Sequence, residues 1–359
     1  MTTNPLDSDR PPERSRAERR AERRDGGRDG GRRRDESMMV PDVKFDSYYG
    51  RPVVKPAPWE ADIPAYIFLG GLAAGSALLG AGGAARRLPV LRRNSRYAAL
   101  AALTAGGLAL VRDLGKPARA LNMMRTVKLT SPMSVGSWIL TGFGAFAGLA
   151  VASEASRELL DDDSALAGAL RFVDPAASAG SALLAAPLAA YTAVLLADTA
   201  TPTWHESYRE LPFVFVGSAS AAAAGLALVT APPEQTGPAR RMAVAGAALE
   251  LAAMDRLERS LGETLAEPLK TGHAGTLLKA SRALTVAGAA GGAVLGRHRT
   301  AAVLSGLALM AGSVCTRFGI FEAGMESAKD PRYTVAPQRE RLERRRERGV
   351  TDDSITTGR

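Results

Sequence analysis

The chain has 359 residues, a net charge of +9 and one cysteine, Cys315. A lone cysteine excludes an internal disulfide framework and a cysteine-ligated iron–sulfur cluster within this chain. The mean hydropathy of −0.04 averages an apolar middle with two polar ends, and describes neither.

Residues 1–40 and 336–359 are dense in Arg, Asp and Glu and poor in apolar side chains. Such segments bury too little surface to offset chain entropy, so both are expected to be disordered. Their Arg tracts raise nucleic acid or anionic lipid as partners. Interspersed acids dilute the field, and the expectation is cytoplasmic arms beside a membrane, touching lipid and not nucleic acid. The Arg pairs near the start do not resemble an export signal, because the first apolar run begins too far downstream and is too long. The expected organisation is a basic tail and Pro-rich approach over residues 1–57, a membrane domain over 58–320 and a charged tail over 321–359.

Residues 63–85, 133–153, 175–197 and 211–233 each lack a charged side chain. A helix needs roughly 20 apolar residues to cross the hydrocarbon core, so the fold class is all-α, a polytopic membrane protein. In chain order, a first span over 62–85 follows a Pro-rich stretch, with Trp59 and Tyr66 suited to the headgroup boundary. A basic loop over 86–96 leads to a second span over 97–115, whose charge-free part is short and draws Arg112 and Asp113 towards the membrane edge. The third span, 133–153, precedes an acidic loop at Asp161, Asp162 and Asp163. Spans four and five cover 175–197 and 211–233. The sixth, 240–256, carries Glu250 inside its apolar pattern. The seventh and eighth, 277–296 and 300–316, flank a tight turn at 297–299. Eight helices are expected. Gly71 and Gly75, Gly144 and Gly148, and Gly288, Gly292 and Gly296 recur every four residues on one helix face, which lets membrane helices approach closely. Lys and Arg near the spans are more numerous on the side of the termini, which places both termini in the cytoplasm.

The three histidines, His205, His273 and His298, all lie outside the apolar runs, so no haem held between helices is expected. Charges at or within the spans are the candidates for chemistry. Arg112 and Asp113 form either a snorkelling pair with a helix stop or a charged site beside a headgroup. Glu250, among Ala247, Ala248, Leu251 and Ala252, costs several kcal/mol if ionised and unpaired in lipid. It is a candidate for proton movement or polar packing, with Asp255 and Glu258 following at helical spacing. Asp198, Trp204, His205, Glu206, Tyr208 and Arg209 cluster in one interhelical loop, either a solvated link or a site where a carboxylate tunes a histidine. Tyr66 has a hydroxyl for a quinone carbonyl, with Gly70 and Gly71 leaving room for a flat ring; an interfacial tyrosine beside packing glycines is the alternative.

Three strings point to a known family. YIFLGGLAAG at 66–75 resembles the opening of the NrfD, or polysulfide reductase, membrane-subunit family. DLGKP at 113–117, NMMR at 122–125 and TSPMSVGSW at 130–138 resemble its most distinctive stretch, and SAKDP at 327–331 with Gln338 is similar to its closing segment. The resemblance covers residues 57–340. It implies a haem-free, quinone-reactive anchor of two four-helix bundles in a bacterial plasma membrane. Such an anchor works beside an iron–sulfur electron-transfer subunit and a molybdopterin catalytic subunit, of formate dehydrogenase or polysulfide reductase type, on menaquinone or ubiquinone. By resemblance and placement, Tyr66, Gly70, Arg112, Asp113 and His205 are the quinone-binding candidates, and Asp198 and Glu250 the proton-path candidates. A secondary transporter with intramembrane carboxylates is the alternative, for which Pro187 would mark a broken helix; a structural scaffold is a third reading.

Overall fold

The computed structural model describes residues 52–113, 122, 124–161 and 163–348. The tail over 1–40, most of the stretch that follows Asp113, and Asp162 lie outside the described residues.

Among the described residues there are ten α-helices and no strand. They are α1 (Asp62–Ala85), α2 (Pro89–Asp113), α3 (Pro132–Leu159), α4 (Ala165–Ala197), α5 (Pro202–Glu206), α6 (Leu211–Thr230), α7 (Gly237–Lys270), α8 (Gly272–Leu295), α9 (Arg299–Lys329) and α10 (Arg332–Glu347). Local chemistry sets several starts. Ser131 caps α3 by accepting from the Ser134 amide, and Pro132 takes the first helical position, where its missing N–H costs nothing.

Eight of these helices have 20 or more residues, and five of them are long and apolar enough to cross a membrane: α1, α3, α4, α6 and α9. Helices α2, α7 and α8 carry more charge and complete the bundles. Helix α1 packs on α2 and α4, and α3 on α2 and α4, closing one four-helix bundle. Helix α6 packs on α7 and α9, and α8 on α7 and α9, closing a second. The seam between the bundles is chiefly α1 against α6. Glycine makes it possible: a Cβ on Gly75 would come within 2.6 Å of the Ala223 Cβ and 2.8 Å of the Ala219 carbonyl oxygen. Without a hydrophobic drive between helices in lipid, such backbone proximity is what van der Waals cohesion needs.

Alternating helix directions give the molecule two ends. One carries the start of α1, the end of α9, α5 and α10, and is called here the Trp204 end. The other carries the starts of α2, α7 and α9, and is called the Arg96 end. There, the Gln235 side chain from the α6–α7 link accepts from the amides of Val90 and Leu91 at 2.9 and 3.2 Å, capping α2 from the other bundle. Asn94 adds a bond to the Thr230 carbonyl at 2.7 Å.

Four expectations need correction. The basic loop 86–96 is mostly the first turns of α2, since Pro89 starts the helix there. The eighth helix does not stop at Thr316: α9 runs to Lys329, passing Arg317 without interruption. Residues 336–347, read as disordered, belong to α10, held by Arg341 to Glu206 at 2.8 Å and by Arg332 to Glu267 at 2.9 Å. Pro187 marks no break, because α4 is helical through both Pro175 and Pro187. A turn appears instead in α7 at Gly262, whose φ of 70° suits glycine. Beyond it the chain folds back and brings Lys270 within 3.8 Å of Glu258, a pair that a straight helix would hold about 18 Å apart.

Candidate functional site

Polar groups gather at three places. The first is the Trp204 end of the first bundle. Tyr66, one turn into α1, is 3% exposed, and its hydroxyl is buried without a hydrogen-bond partner among the described residues. Its ring lies against Gly106 of α2, where a Cβ would come 3.4 Å from the ring edge. One turn further, a Cβ on the buried Gly70 would meet nothing within 4 Å. An orphaned phenol beside unfilled space is a donor awaiting an acceptor.

The other headgroup candidates stand at the rim. Arg112 is largely exposed and lies 3.8 Å from Asp62 at the start of α1, so its partner comes from the neighbouring helix and not from Asp113. Asp113 is half-buried as the last residue of α2. His205 sits on α5 with Nδ1 3.0 Å from the Ala197 carbonyl oxygen, tying α5 to the end of α4. Asp198 is exposed just beyond α4. Trp204 anchors this loop: fully buried, it donates from Nε1 to the Ile320 carbonyl at 2.9 Å and stacks between Trp59 and Phe321, with ring centroids 6.0 and 5.5 Å away. Tyr66 and Trp204 share one apolar cluster. The loop is therefore packed at its base, where Thr203 and Ser207 are buried and hydrogen-bonded, and carries Asp198 and His205 at its rim.

The second place is inside the second bundle. Glu250 of α7 is 4% exposed. One carboxylate oxygen accepts from Thr316 of α9 at 2.5 Å, and the Thr316 hydroxyl is also 2.5 Å from that of Ser281 on α8. The other oxygen, Oε2, has no well-formed hydrogen bond among the described residues. A cavity of about 280 Å³ reaches this carboxylate between α7 and α8.

Next to Thr316 stands Arg317, a side chain that the sequence reading passed over as the flank of a span. It is 1% exposed, deep between the bundles. Its guanidinium lies 3.9 Å over the Phe215 ring, and Nη2 donates to the Phe215 carbonyl at 2.7 Å. A Cβ on Gly71 of α1 would come 3.2 Å from that same nitrogen. Nε and Nη1 have no partner among the described residues. The signal in the sequence was the apolar run that resumes after it, Phe318 to Phe321.

The third place is the Arg96 end of the first bundle, also unforeseen. Arg92 and Arg96 of α2, Glu154 and Arg157 of α3 and Asp174 of α4 form a connected ion network. Arg92 and Arg96 reach Glu154 at 2.8 and 2.9 Å, and Arg96 and Arg157 reach Asp174 at 2.8 and 2.9 Å. Arg96 also donates to Ser178 at 2.6 Å. These charges pair with one another across three helices, with Arg96 Nε left without a hydrogen bond among the described residues.

The structure thus gathers Tyr66, Gly70, Arg112 and Asp113 where α1 meets α2, with Asp198 and His205 on the same end. Glu250 belongs to the other bundle. The sequence profile described as "Polysulphide reductase, NrfD" matches residues 53–241, which takes in the first bundle, the seam helix α6 and the start of α7. No curated protein matches the chain. Proteins of that family are membrane subunits of quinone-interacting oxidoreductase complexes. With that match over more than half its length, and with membrane-spanning helices in two four-helix bundles, this chain belongs to the NrfD polysulphide reductase family of multi-pass membrane proteins.

Proposed function

We propose that this chain exchanges electrons between an iron–sulfur partner subunit and menaquinone or ubiquinone in a bacterial plasma membrane, as the anchor of a molybdopterin-type complex of formate dehydrogenase or polysulfide reductase class. The quinone headgroup binds at the Trp204 end of the first bundle. Tyr66 donates to a ring carbonyl, Gly70 leaves room for the ring, and Arg112, Asp113 and His205 surround the mouth. Asp198 and Glu250 serve proton supply. The redox centres that feed the quinone belong to the partner; this chain binds and orients the ring and moves protons.

The observation that carries the reading is the buried, unpartnered Tyr66 hydroxyl beside the open space at Gly70. A hydroxyl left without a partner in an apolar site costs about 1–3 kcal/mol, and a ligand acceptor recovers that cost. The test is co-purification from native membranes with extraction of bound quinone. The reading expects iron–sulfur and molybdopterin subunits and retained quinone in the wild type, and quinone depleted in Tyr66→Phe with the subunits still attached. Retention of quinone equal to wild type in that variant would remove Tyr66 from the site.

A further inference from the structure

We infer that the cleft between α7 and α8 is a one-sided aqueous inlet, bringing water from the Trp204 end to Glu250 and ending there.

The mouth of the cleft is charged. Lys270, Lys279 and Arg282 stand around Glu258, with Lys270 3.8 Å and Arg282 3.6 Å from its carboxylate. These separations are those of loose ion pairs at an open mouth. Arg282 lies ten residues into α8, about 15 Å along the helix from its start, yet its side chain is 53% exposed. A charge exposed at that depth is tolerated where water reaches it. The walls are apolar, formed by Val214, Met254 and Leu278 among others. At about 30 Å³ of liquid per molecule, the 280 Å³ of the cleft holds on the order of ten waters.

The floor is built to receive them. Ser281 and Thr316 line the cleft and lead by two bonds of 2.5 Å to Glu250. Glu250 Oε2 is buried and has no well-formed hydrogen bond among the described residues, with Ser218 and Arg317 near the carboxylate, and can take a water. A proton entering from the rim can reach the carboxylate through waters and these hydroxyls, and leave by the same route.

Beyond Glu250 lie the buried hydroxyls of Ser218, Ser313 and Thr285, and past them the bundle is closed. Towards the Arg96 end, Ala221, Ala224, Leu228, Ala243, Ala289 and Leu309 form an apolar layer, all at most 8% exposed. Backbones touch there: a Cβ on Gly217 would come 2.5 Å from the Glu250 amide nitrogen. Towards the first bundle stands Arg317, whose fixed positive charge opposes passage of a hydrated proton.

What the inlet serves rests on the proposed role of Glu250 in proton movement; that water enters does not. The test is cysteine accessibility in the assembled complex, in sealed, uniformly oriented vesicles, with the native thiol removed by Cys315→Ser. Single cysteines are placed at the wall (Leu278→Cys), at the floor (Ser281→Cys), in the apolar layer (Ala289→Cys) and, as a marker of the Trp204 end, at Tyr208→Cys. The probe is a membrane-impermeant trimethylammonium-ethyl methanethiosulfonate. The expected result is that Leu278→Cys and Ser281→Cys react only from the side that labels Tyr208→Cys, at least tenfold faster than Ala289→Cys. Labelling from the opposite side or from both sides would overturn the inference. So would reaction no faster than Ala289→Cys, which means a dry, lipid-filled crevice. Should Ser281→Cys fail to assemble, Leu278→Cys and Met254→Cys carry the same comparison. The labelling needs no turnover, so absence of bound quinone would sink the proposed function and leave the accessibility pattern standing.

Discussion

Arg317 of α9 sits over the ring of Phe215 on α6, its guanidinium carbon 3.9 Å from the ring centroid, and donates to that residue's own carbonyl at 2.7 Å. One cation thus meets both the face and the backbone of a single partner. The carbonyl bond is unusual because helix interiors normally satisfy their own carbonyls. This contact is expected to hold α9 to α6 beside the seam with α1. Arg317→Ala should lower resistance to denaturation by about 3 kcal/mol through lost packing and lost contacts. Arg317→Lys should recover less than half, because an ammonium cannot lie flat on a ring. Unfolding by SDS in mixed micelles, followed by circular dichroism, measures both. A lysine variant equal to wild type would show that the stack contributes nothing.

Trp204 fills the space that a side chain at position 324 would need. Gly324→Ala drives a methyl into the indole, and overpacking of this kind costs about 1–3 kcal/mol. Trp204 emission should shift to the red as its bond to Ile320 breaks. Measured in a background carrying Trp59→Phe and Trp138→Phe, an unshifted spectrum would mean that the loop adjusts without cost.

The ion network at the Arg96 end predicts strong coupling. Arg96→Leu removes the buried cation that Glu154 and Asp174 share and leaves them to the more exposed Arg92 and Arg157, so the cost should fall at or below the low end of the roughly 3–5 kcal/mol of a fully broken buried pair. Removing Asp174 as well, by Asp174→Leu, should restore part of that loss, with a coupling energy of about 1–3 kcal/mol in a double-mutant cycle. Quinone turnover per assembled complex should be unchanged in variants that assemble, since this network lies at the opposite end from Tyr66. Strict additivity would show that the charges do not act as a unit.

Tyr66→Phe should separate stability from binding. Deleting an unpartnered buried hydroxyl removes a desolvation cost, so the ligand-free protein should melt no lower than wild type. The affinity for a quinone analogue should fall about tenfold, the loss of roughly 1.4 kcal/mol expected for one hydrogen bond. Calorimetry on the quinone-depleted complex reads the first effect, and fluorescence quenching by the analogue reads the second. A lower melting temperature with unaltered affinity would make Tyr66 a packing residue.

The sequence disclosed the long helices because lipid imposes length and apolarity on each one separately. Tyr66, Arg112 and Asp113 were visible for the same reason: each stands at the edge of an apolar run. Arg317 was not, since a charge ends an apolar run whether it lies at a membrane surface or over Phe215, and only α6 decides between them. Arg96 was read as part of a loop because Glu154 and Asp174, the partners that allow it to be buried, lie 58 and 78 residues away in the chain. Helix α10 escaped for a related cause. Its Arg residues suggest a solvated tail until Glu206 and Glu267, brought from other helices, are seen to hold it.

The side chain of Gln235 and the bond from Asn94 to Thr230 have a mechanical consequence. The first turn of α2 is fastened to the connector of the opposite bundle, so the two halves are tied at the Arg96 end. At the opposite end the halves share one apolar cluster that takes in Tyr66, Trp204 and Phe215, so parting them there would expose buried surface, whereas parting them at the Arg96 end would also break hydrogen bonds.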